Sequence, residues 1–435
     1  MAGALLGNAV SAGTKLLIAG AMVAWAGAAQ VSAAATLTIA CAAVGIEQRL
    51  CRDGAGAWAA RTGHRVTLIQ TPSLANERLA LFQQLLAAGS SDIDVLQIDV
   101  IWPGTLGRYF TDLSPHIDAE VRARHFAALI DNYTVDGALT AMPWYGDVGL
   151  LYYRKDLLTR YGHGVPETWD DLAATAAAVV AAERAEDAEG AARMVGYVFQ
   201  GKAYEGLTCN ALEWIVSHGG AILAADGSPA IDRAPAVRAI ETAASWIGAI
   251  APKGVLNYAE EEARGTFQSG QAVFMRNWPY AWALVNGAGS PVAGKVGIAP
   301  LPRGEGGERV GTLGGGGLAV SKFSAHPALA ADLVADLTGY DEQIRRAIAG
   351  AFNPTLPAAY DDPDLLRAQP IMAALRPVLT GAVARPARIA GDRYNALSAL
   401  LWNAVHDSLA GRGDAAGNLE AAALRIKRLR RGGQW

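Results

Sequence analysis

The sequence predicts an α/β fold with more than one lobe, and three observations support this prediction. Short β-rich runs alternate with amphipathic stretches rich in Ala and Leu, a pattern typical of parallel βαβ units. The nearly continuous apolar run at residues 95–98 is typical of a strand covered on both faces. The chain has 435 residues. This length exceeds one ordinary core and allows two lobes of about 200 residues each.

The N-terminal half is predicted to contain successive strand–helix steps. The predicted strands are short β-rich runs at residues 36–40, 64–70 and 94–102, and Pro103 ends the last of them. The predicted helices have apolar residues at helical spacing, and they cover residues 47–61 and 74–88.

The C-terminal half is predicted to be more helical. Helices are expected at residues 234–248, 260–269, 326–338, 341–349 and 394–409. Pro and Gly are dense at residues 291–317, and Pro354, Pro357 and Pro363 mark another break. No repeat of fixed period is visible, which argues against a solenoid.

Charge and composition argue against nucleic-acid binding. The chain has 37 basic and 41 acidic residues, and its net charge is −4. The basic run at residues 427–431 is expected to be the solvated face of a last helix rather than a nucleic-acid patch.

The first 35 residues differ in kind from the rest of the chain. Lys15 precedes an apolar run that begins at Leu16, and small residues follow, with Val31-Ser32-Ala33 as a candidate cleavage site. This order predicts a secretory signal peptide, and the alternative is a transmembrane anchor. We therefore expect an exported protein, located in the periplasm.

The three cysteines are compatible with export. Cys41 and Cys51 lie ten residues apart and Cys209 is remote. An oxidising compartment permits a Cys41–Cys51 disulfide between the first strand and the first helix, and the alternative is two free buried thiols.

The most informative segment spans residues 142–158. It places Trp144 and Tyr145 beside Asp147, before an apolar strand. An aromatic ring covers the apolar face of a sugar and a carboxylate accepts hydrogen bonds from its hydroxyls, so this segment predicts carbohydrate contact. Packing at a hinge is the alternative role for Trp144 and Tyr145.

Two further segments have residues suited to ligand contact. Asp99 lies in the predicted strand at residues 94–102, where an acid at the carboxyl end of a parallel strand points into a binding crevice; a salt-bridged core acid is the alternative. Trp278, Tyr280 and Trp282 lie close together after an apolar run, and a Trp-Pro-Tyr turn there would form a stacking surface.

Other motifs exclude several kinds of chemistry. Gly314–Gly317 permits close backbone approach to a ligand, but no Gly-Lys-Ser/Thr follows it, so a P-loop is not predicted. The sequence has no HExxH, CxxC or Gly-x-Ser-x-Gly motif. We therefore expect neither a metal nor a cofactor.

Residues 142–158, with Trp144-Tyr145-Gly146-Asp147 at their start, resemble the first inter-lobe crossover of bacterial extracellular solute-binding proteins. These proteins are the capture subunits of sugar ABC importers, and the trehalose/maltose-binding branch is the most similar. The resemblance extends over about residues 36–430, with modest motifs in the right order.

The resemblance implies a two-lobed periplasmic-binding-protein fold with three inter-lobe crossovers and a cleft between the lobes. The crossovers are expected near residues 139–145, 309–313 and 352–357. The implied division gives residues 36–141 and 312–355 to the N-terminal lobe, and residues 142–311 and 356–435 to the C-terminal lobe.

The resemblance also implies a set of ligand contacts. It adds residues to those already named, and the full expected set is Glu47, Asp99, Tyr145, Asp147, Tyr204, Glu205, Asn210, Trp278, Tyr280, Gly315, Gly316 and Arg385. Glu205 has an alternative role in favouring a helix N-terminus, and Arg385 in a structural ion pair. Relatives often place an aromatic residue beside the glycine pair, whereas this chain has only Gly and then Leu318.

The implied function is capture of a trehalose- or maltose-like disaccharide, or of a related polyol, and its delivery to an inner-membrane ABC permease. The protein is expected to act as a monomer. The alternative function is a secreted glycoside hydrolase that uses two of the acids Glu47, Asp99, Asp147 and Glu205.

Overall fold

The computed structural model describes residues 34–41, 45–430 and 435, and Thr36–Trp435 form one compact unit. The predicted signal segment at residues 1–35 therefore lies almost entirely outside the described residues. Among the residues that are described, no helix has both the length and the apolar character needed to cross a membrane.

A first sheet gathers strands from separate parts of the chain. In chain order, the described strands are β1 (Thr36–Ala40), β2 (Arg65–Ile69), β3 (Val95–Asp99), β4 (Thr134–Val135), β5 (Ala138–Leu139), β6 (Met142–Val148), β7 (Leu150–Arg154), β8 (Val195–Val198), β9 (Ala272–Asn277), β10 (Val296–Pro300) and β11 (Leu313–Val320). The first sheet has the order β2–β1–β3–β11–β6. β1 is parallel to β2 and β3, and β11 is antiparallel to β3 and β6.

A second sheet has the order β10–β7–β9–β8. β7 is antiparallel to both β9 and β10, and β8 is parallel to β9. Every residue of β9 is buried, as expected for an inner strand with both faces covered. The two sheets are the centres of the two lobes, which we call the first lobe and the second lobe.

Helices cover the sheets of both lobes. They are α1 (Gly45–Thr62), α2 (Ala75–Ala87), α3 (Pro103–Leu106), α4 (Ala119–Ala123), α5 (Ala127–Tyr133), α6 (Lys155–Arg160), α7 (Trp169–Glu186), α8 (Glu205–Ser217), α9 (Ala234–Ser245), α10 (Glu260–Gln268), α11 (Ala281–Val285), α12 (Pro327–Leu337), α13 (Tyr340–Gly350), α14 (Pro363–Ala368), α15 (Ile371–Thr380), α16 (Ala387–Ala390), α17 (Tyr394–Leu409) and α18 (Ala415–Leu429). In the first lobe, α1 packs against β2 and α12 against β11. In the second lobe, α7 and α10 pack against the sheet, and α17 packs against α8 and α18.

The predicted third strand, at residues 94–102, is too long. The strand ends at Asp99, because the Asp99 carboxylate accepts a hydrogen bond from the Ile101 backbone N–H (3.2 Å) and the Asp99 carbonyl accepts one from Trp102. This local turn places the Asp99 side chain at the end of the sheet.

The first crossing between the lobes occurs at Gly149, later in the chain than the predicted residues 139–145. β6 stays paired with β11 as far as Val148, and β7 begins in the other sheet at Leu150. A Cβ atom at position 149 would lie 1.9 Å from Glu213 Oε1, so only glycine fits there. β6 is therefore a strand of the first sheet, whereas the sequence-based division assigned residues 142–148 to the C-terminal lobe; the rest of that division stays a prediction.

The second crossing lies near its predicted position at residues 309–313. The chain leaves the second sheet at Pro300 and enters the first at Leu313. The segment at residues 352–357 contacts β6, because the Gly146 N–H donates to the Asn353 carbonyl oxygen (3.0 Å). α15, which follows this segment, also packs against β6, so the position of the third crossing stays a prediction.

Cys41, directly after β1, forms a disulfide with Cys51 in α1. Cys209 is a free, buried thiol. The disulfide agrees with the sequence-based prediction, and it joins the first strand to the first helix.

Candidate ligand-binding site

Strand pairing brings several predicted residues to one end of the first sheet. Gly316 of β11 lies opposite Asp99 on one side and opposite Tyr145 on the other, and Gly314 lies opposite Asp147. Asp99 and Gly316 are more than 200 residues apart in sequence. They are neighbours because β11 lies between β3 and β6 in the sheet.

The glycine run allows β6 to approach β11 closely. Gly315 has a φ of +123°, and a Cβ atom there would lie 2.4 Å from the Tyr145 carbonyl oxygen. A Cβ atom at Gly316 would lie 2.9 Å from the Tyr145 ring, and one at Gly314 would lie 2.9 Å from Trp278. The glycines thus allow two predicted aromatic residues, one from each lobe, to lie against the same strand.

The first lobe contains a group of two acids and one tyrosine, which are Glu47, Asp147 and Tyr145. Gln97 Nε2 donates to both Glu47 Oε1 (2.8 Å) and Tyr145 Oη (2.9 Å). Asp147 Oδ1 is inaccessible to solvent and has no hydrogen-bond partner within the described part of the chain. Burial, followed by the charge of Glu47, raises the pKa of Asp147 well above its ordinary value, and Arg276 opposes this shift. Asp147 Oδ1 is therefore a buried polar atom whose hydrogen-bonding capacity the described residues leave unused.

A buried arginine that the sequence analysis did not single out lies beside this group. Arg346 of α13 is 1 % exposed, and its guanidinium carbon lies 3.6 Å from the Trp144 ring centroid and 4.7 Å from that of Phe352. Its Nη1 donates to the Trp144 carbonyl oxygen (3.3 Å), whereas Nε and Nη2 have no partner among the described residues. Burial lowers the pKa of Arg346 to about 10, although Glu47 opposes the shift.

Arg385 joins the two lobes. One of its amino groups donates to Asp99 Oδ1 and the other to Glu205 Oε1, each at 2.9 Å. Glu205 also accepts hydrogen bonds from Tyr394 and Ser398. Burial raises the pKa of Glu205, and these three donors oppose the rise. Arg385 and Glu205, both predicted ligand contacts, therefore already have polar partners in the protein.

Glu260, an acid that the sequence analysis did not single out, contacts both Trp278 and Tyr204. Tyr204 Oη donates to Glu260 Oε2 (2.6 Å), and Trp278 Nε1 donates to Glu260 Oε1 (3.4 Å). The guanidinium carbon of Arg276 lies 3.9 Å from the centre of the Trp278 ring. Trp278 itself is half-buried.

A buried ion pair holds Arg276 in position. Glu213 accepts hydrogen bonds from Arg276 Nε (2.9 Å) and Nη2 (2.5 Å), and it also accepts from the Thr312 backbone N–H (3.0 Å). Thr312 belongs to the second crossing segment. The orientation of Trp278 is therefore tied to the connection between the lobes.

Two further predicted residues have hydrogen-bond partners within the second lobe. Asn210 is fully buried within α8, where its amide nitrogen donates to the Gly206 carbonyl oxygen (2.8 Å). Tyr280 Oη donates to Glu261 Oε1 (2.7 Å). Their roles as ligand contacts stay predictions.

Five important residues were not singled out from the sequence: Gln97, Glu213, Glu260, Arg276 and Arg346. Gln97 gave a signal, because it is the polar residue within the apolar run at residues 95–98. The others lie on the helices α8, α10 and α13 and on strand β9, and the partners that they meet depend on the tertiary fold. Within residues 34–41, 45–430 and 435, no cluster of His, Cys, Asp and Glu is suited to hold a metal ion.

Comparison with known proteins gives concordant results. A family model described as bacterial extracellular solute-binding protein matches residues 48–344. A Deinococcus radiodurans protein described as a probable ABC transporter-binding protein is 48% identical over 415 residues, which are 94% of this chain and 98% of that protein.

Solved structures are also similar. The maltose-bound MalE3 protein of T. maritima is 38% identical, with a TM-score of 0.86 over 91% of this chain and 100% of that one. The GacH receptor of Streptomyces glaucescens is 20% identical, with a TM-score of 0.79 over 91% of this chain and 98% of that one, and it supports the fold alone.

Proposed function

Because this chain belongs to the family of bacterial extracellular solute-binding proteins, we propose that it captures a sugar between its two lobes and delivers it to an inner-membrane ABC permease. The family is one of binding proteins rather than enzymes. A disaccharide of the maltose or trehalose type, or a related polyol, is the proposed ligand class. The maltose-bound relative at 38% identity supports this choice.

The observation that carries the proposal is the unsatisfied Asp147 beside aromatic rings from both lobes. Tyr145 of the first lobe and Trp278 of the second lobe lie against the same glycine run. Asp147 Oδ1 is buried and lacks a hydrogen-bond donor among the described residues. Aromatic faces with a carboxylate acceptor suit a sugar, which presents apolar C–H faces and hydroxyl donors.

The layout supports a mechanism of lobe closure. Contacts from both lobes are complete only when the lobes are closed, so a sugar that touches both lobes shifts the open–closed equilibrium by its differential affinity. The closed form would then dock on the permease. We propose that this takes place in the periplasm, after export directed by residues 1–35.

The experiment is a thermal-unfolding screen with maltose, trehalose, mannitol and ribitol. A true ligand at a hundred times its Kd should stabilise the folded protein by about 2.7 kcal/mol. The same ligand should shift the melting temperature of an Asp147→Ala variant much less, whereas Glu241→Gln, which changes an exposed acid on α9, should respond as the wild type does.

Two outcomes would contradict the proposal. One is that no sugar or polyol changes the melting temperature. The other is that incubation with maltose or trehalose releases glucose, which would favour the glycoside hydrolase alternative.

A further inference from the structure

A cavity of about 330 Å³ lies in the second lobe, and none of the predicted sugar contacts lines it. Its walls come from the start of α7, the residue that follows α8, one face of α9 and the segment that follows β10. Small-molecule sites have volumes of about 300–1,000 Å³, so this cavity has room for a ligand of its own.

Main-chain hydrogen bonds fix three walls of the cavity. The Arg303 N–H donates to the Glu167 carbonyl oxygen (2.9 Å), and the Arg303 carbonyl oxygen accepts from the Trp169 N–H (3.1 Å). The next residue, Gly304, donates to the Ser217 carbonyl oxygen (2.8 Å) at the end of α8. The cavity is therefore built into the backbone of the second lobe.

His218 is a buried polar side chain in the wall of this cavity. It is 8 % exposed, and its Nδ1 lies 2.7 Å from the Trp214 carbonyl oxygen. Because a carbonyl oxygen only accepts, Nδ1 donates, and Nε2 of the neutral ring is left as an acceptor. Nε2 has no hydrogen-bond partner in the described part of the chain.

Gly304 allows the His218 ring to take this position. A Cβ atom at Gly304 would lie 2.4 Å from the ring, so a side chain there would displace it. The open Nε2 is therefore held in place both by the hydrogen bond at Nδ1 and by the packing of the ring on Gly304.

Four charged side chains of both signs also line the cavity. They are the exposed residues Asp170, Arg238, Arg303 and Glu305. Among residues 34–41, 45–430 and 435, none of the four side chains has an ion-pair or hydrogen-bond partner. Two positive and two negative charges suit a ligand that carries one charge of each sign, such as a zwitterion.

The remaining groups match the two ends of such a ligand. Thr168 Oγ1 accepts from the Asp171 N–H (3.1 Å) and keeps its own proton for donation, and it lies at the start of α7, where the helix dipole favours an anion. With Arg238 and Arg303, it provides donors for a carboxylate. An ammonium group has three donors and no acceptor, so the two acids and His218 Nε2 are suitable partners for it.

We propose that this cavity is a second binding site of the protein, specific for a small zwitterion of the α-amino-acid type. The proposal goes beyond sugar capture and does not depend on it, because the cavity shares no residue with the proposed sugar site.

The test begins with a thermal-unfolding screen of the full chain against the standard α-amino acids at millimolar concentration. At least one amino acid should raise the melting temperature in a saturable way, and calorimetric titration should give its Kd. The N-acetyl form of the same amino acid lacks the ammonium group, and its amide form lacks the carboxylate. Both forms should bind at least about tenfold more weakly, the scale of a lost hydrogen bond to a charged group.

Two arginine variants locate the binding site. Arg238→Gln and Arg303→Gln should each raise the Kd for the amino acid at least about tenfold. Both should keep the response of the wild type to sugar, which makes failure of this site distinguishable from failure of the proposed function. Arg193→Gln is the matched control, because Arg193 is an exposed arginine of the same lobe that does not line the cavity.

His218→Asn tests the buried acceptor. The Asn amide can still donate to the Trp214 carbonyl oxygen but has no acceptor at the position of Nε2, so the Kd should rise about two- to tenfold. The ligand-free melting temperature of this variant is measured as well, and the arginine variants decide the question if it is unstable.

Three outcomes would overturn the proposal. The first is that no amino acid binds. The second is that the N-acetyl or the amide form binds as tightly as the amino acid, which would indicate a site for a simple anion or a simple cation. The third is that both arginine variants bind the amino acid as the wild type does, which would place the ligand elsewhere on the protein.

Discussion

Asp147, a proposed ligand contact, illustrates how the burial of a carboxyl group costs stability. Its pKa is raised well above the ordinary value of about 4, chiefly by burial. A carboxyl group with a raised pKa binds more protons in the folded state than in the unfolded state. The protein should therefore lose stability as the pH rises from about 4 through the folded-state pKa of Asp147.

We predict that Asp147→Asn raises the melting temperature of the ligand-free protein at pH 7 and flattens its pH dependence. The amide keeps the shape of the carboxyl group and removes the charge whose burial is unfavourable. Sugar binding should weaken by about 1.5–3 kcal/mol, the scale of a hydrogen bond to a charged group. Calorimetry and thermal unfolding across pH 4–8 measure both effects, and a variant that binds sugar as well as the wild type would contradict the contact.

Arg346 is the second residue whose burial is unfavourable to folding. Its guanidinium has one hydrogen bond and two nitrogen atoms without partners in the described residues. Replacing a poorly paired buried charge with an apolar side chain is often neutral or stabilising.

We therefore predict that Arg346→Met leaves the ligand-free melting temperature unchanged or raises it. Sugar affinity should fall, because Glu47 loses its positive neighbour and the rings of Trp144 and Tyr145 lose the flat guanidinium beside them. Arg346→Lys, which keeps the charge but not the planar stacking, separates the two causes. A large drop in the melting temperature of Arg346→Met would show that the stack is mainly structural.

At the scale of elements, β11 positions most of the site, and its glycines are the reason. A side chain at Gly315 would need a φ of +123° and would clash with the Tyr145 carbonyl oxygen. We predict that Gly315→Ala destabilises the protein by at least about 2 kcal/mol, since residues with side chains rarely adopt such a conformation.

Gly56→Ala is the matched control for this substitution. Gly56 lies within α1, and a Cβ atom there would have no neighbour within 4 Å. Alanine should stabilise the helix by about 0.5–1 kcal/mol. Chemical denaturation of both variants should give opposite signs, and equal effects would contradict the close approach of β6 to β11.

Several helices and the parallel strands β1, β2 and β3 followed from local sequence patterns, whereas the first connection between the lobes did not. α17 has the predicted bounds, because its apolar residues recur at helical spacing. The crossing at Gly149 was misplaced because the requirement for glycine there comes from Glu213, which is distant in sequence. A contact of this kind has no local pattern.

At the scale of the whole molecule, the sequence also does not show which charged groups are paired with each other. The acids Asp99, Asp147 and Glu205 were identified from the sequence, but their different environments were not. Asp99 and Glu205 are both bound to Arg385, while Asp147 lacks a donor among the described residues. Only the tertiary fold distinguishes a carboxylate that is ion-paired between the lobes from one that has no hydrogen-bond donor among the described residues.

The two lobes meet at Trp278, which makes this residue a probe of closure. Arg276 covers one part of its indole, and Gly314 of the first lobe lies against its edge. Glu260 accepts a hydrogen bond from its N–H. Tryptophan emission should change when sugar binds, because the open part of the indole loses water. We predict that Trp278→Ala removes most of this change and raises the Kd at least about tenfold, as expected when an aromatic stacking contact of more than about 1.4 kcal/mol is lost.

Trp282→Ala is the control for the fluorescence measurement, because Trp282 is a half-buried tryptophan in the adjacent helix α11. It should keep both the affinity and most of the emission change. The competing explanation is that Trp278 serves only to fill the core of the second lobe. In that case Trp278→Ala would lower the ligand-free stability by about 3–5 kcal/mol, the cost of a large cavity, and would still bind sugar normally. The indole is half-buried, and it stacks on a guanidinium whose charge Glu213 already neutralises. We therefore expect Trp278→Ala to lower the affinity for sugar more than it lowers the stability of the folded protein.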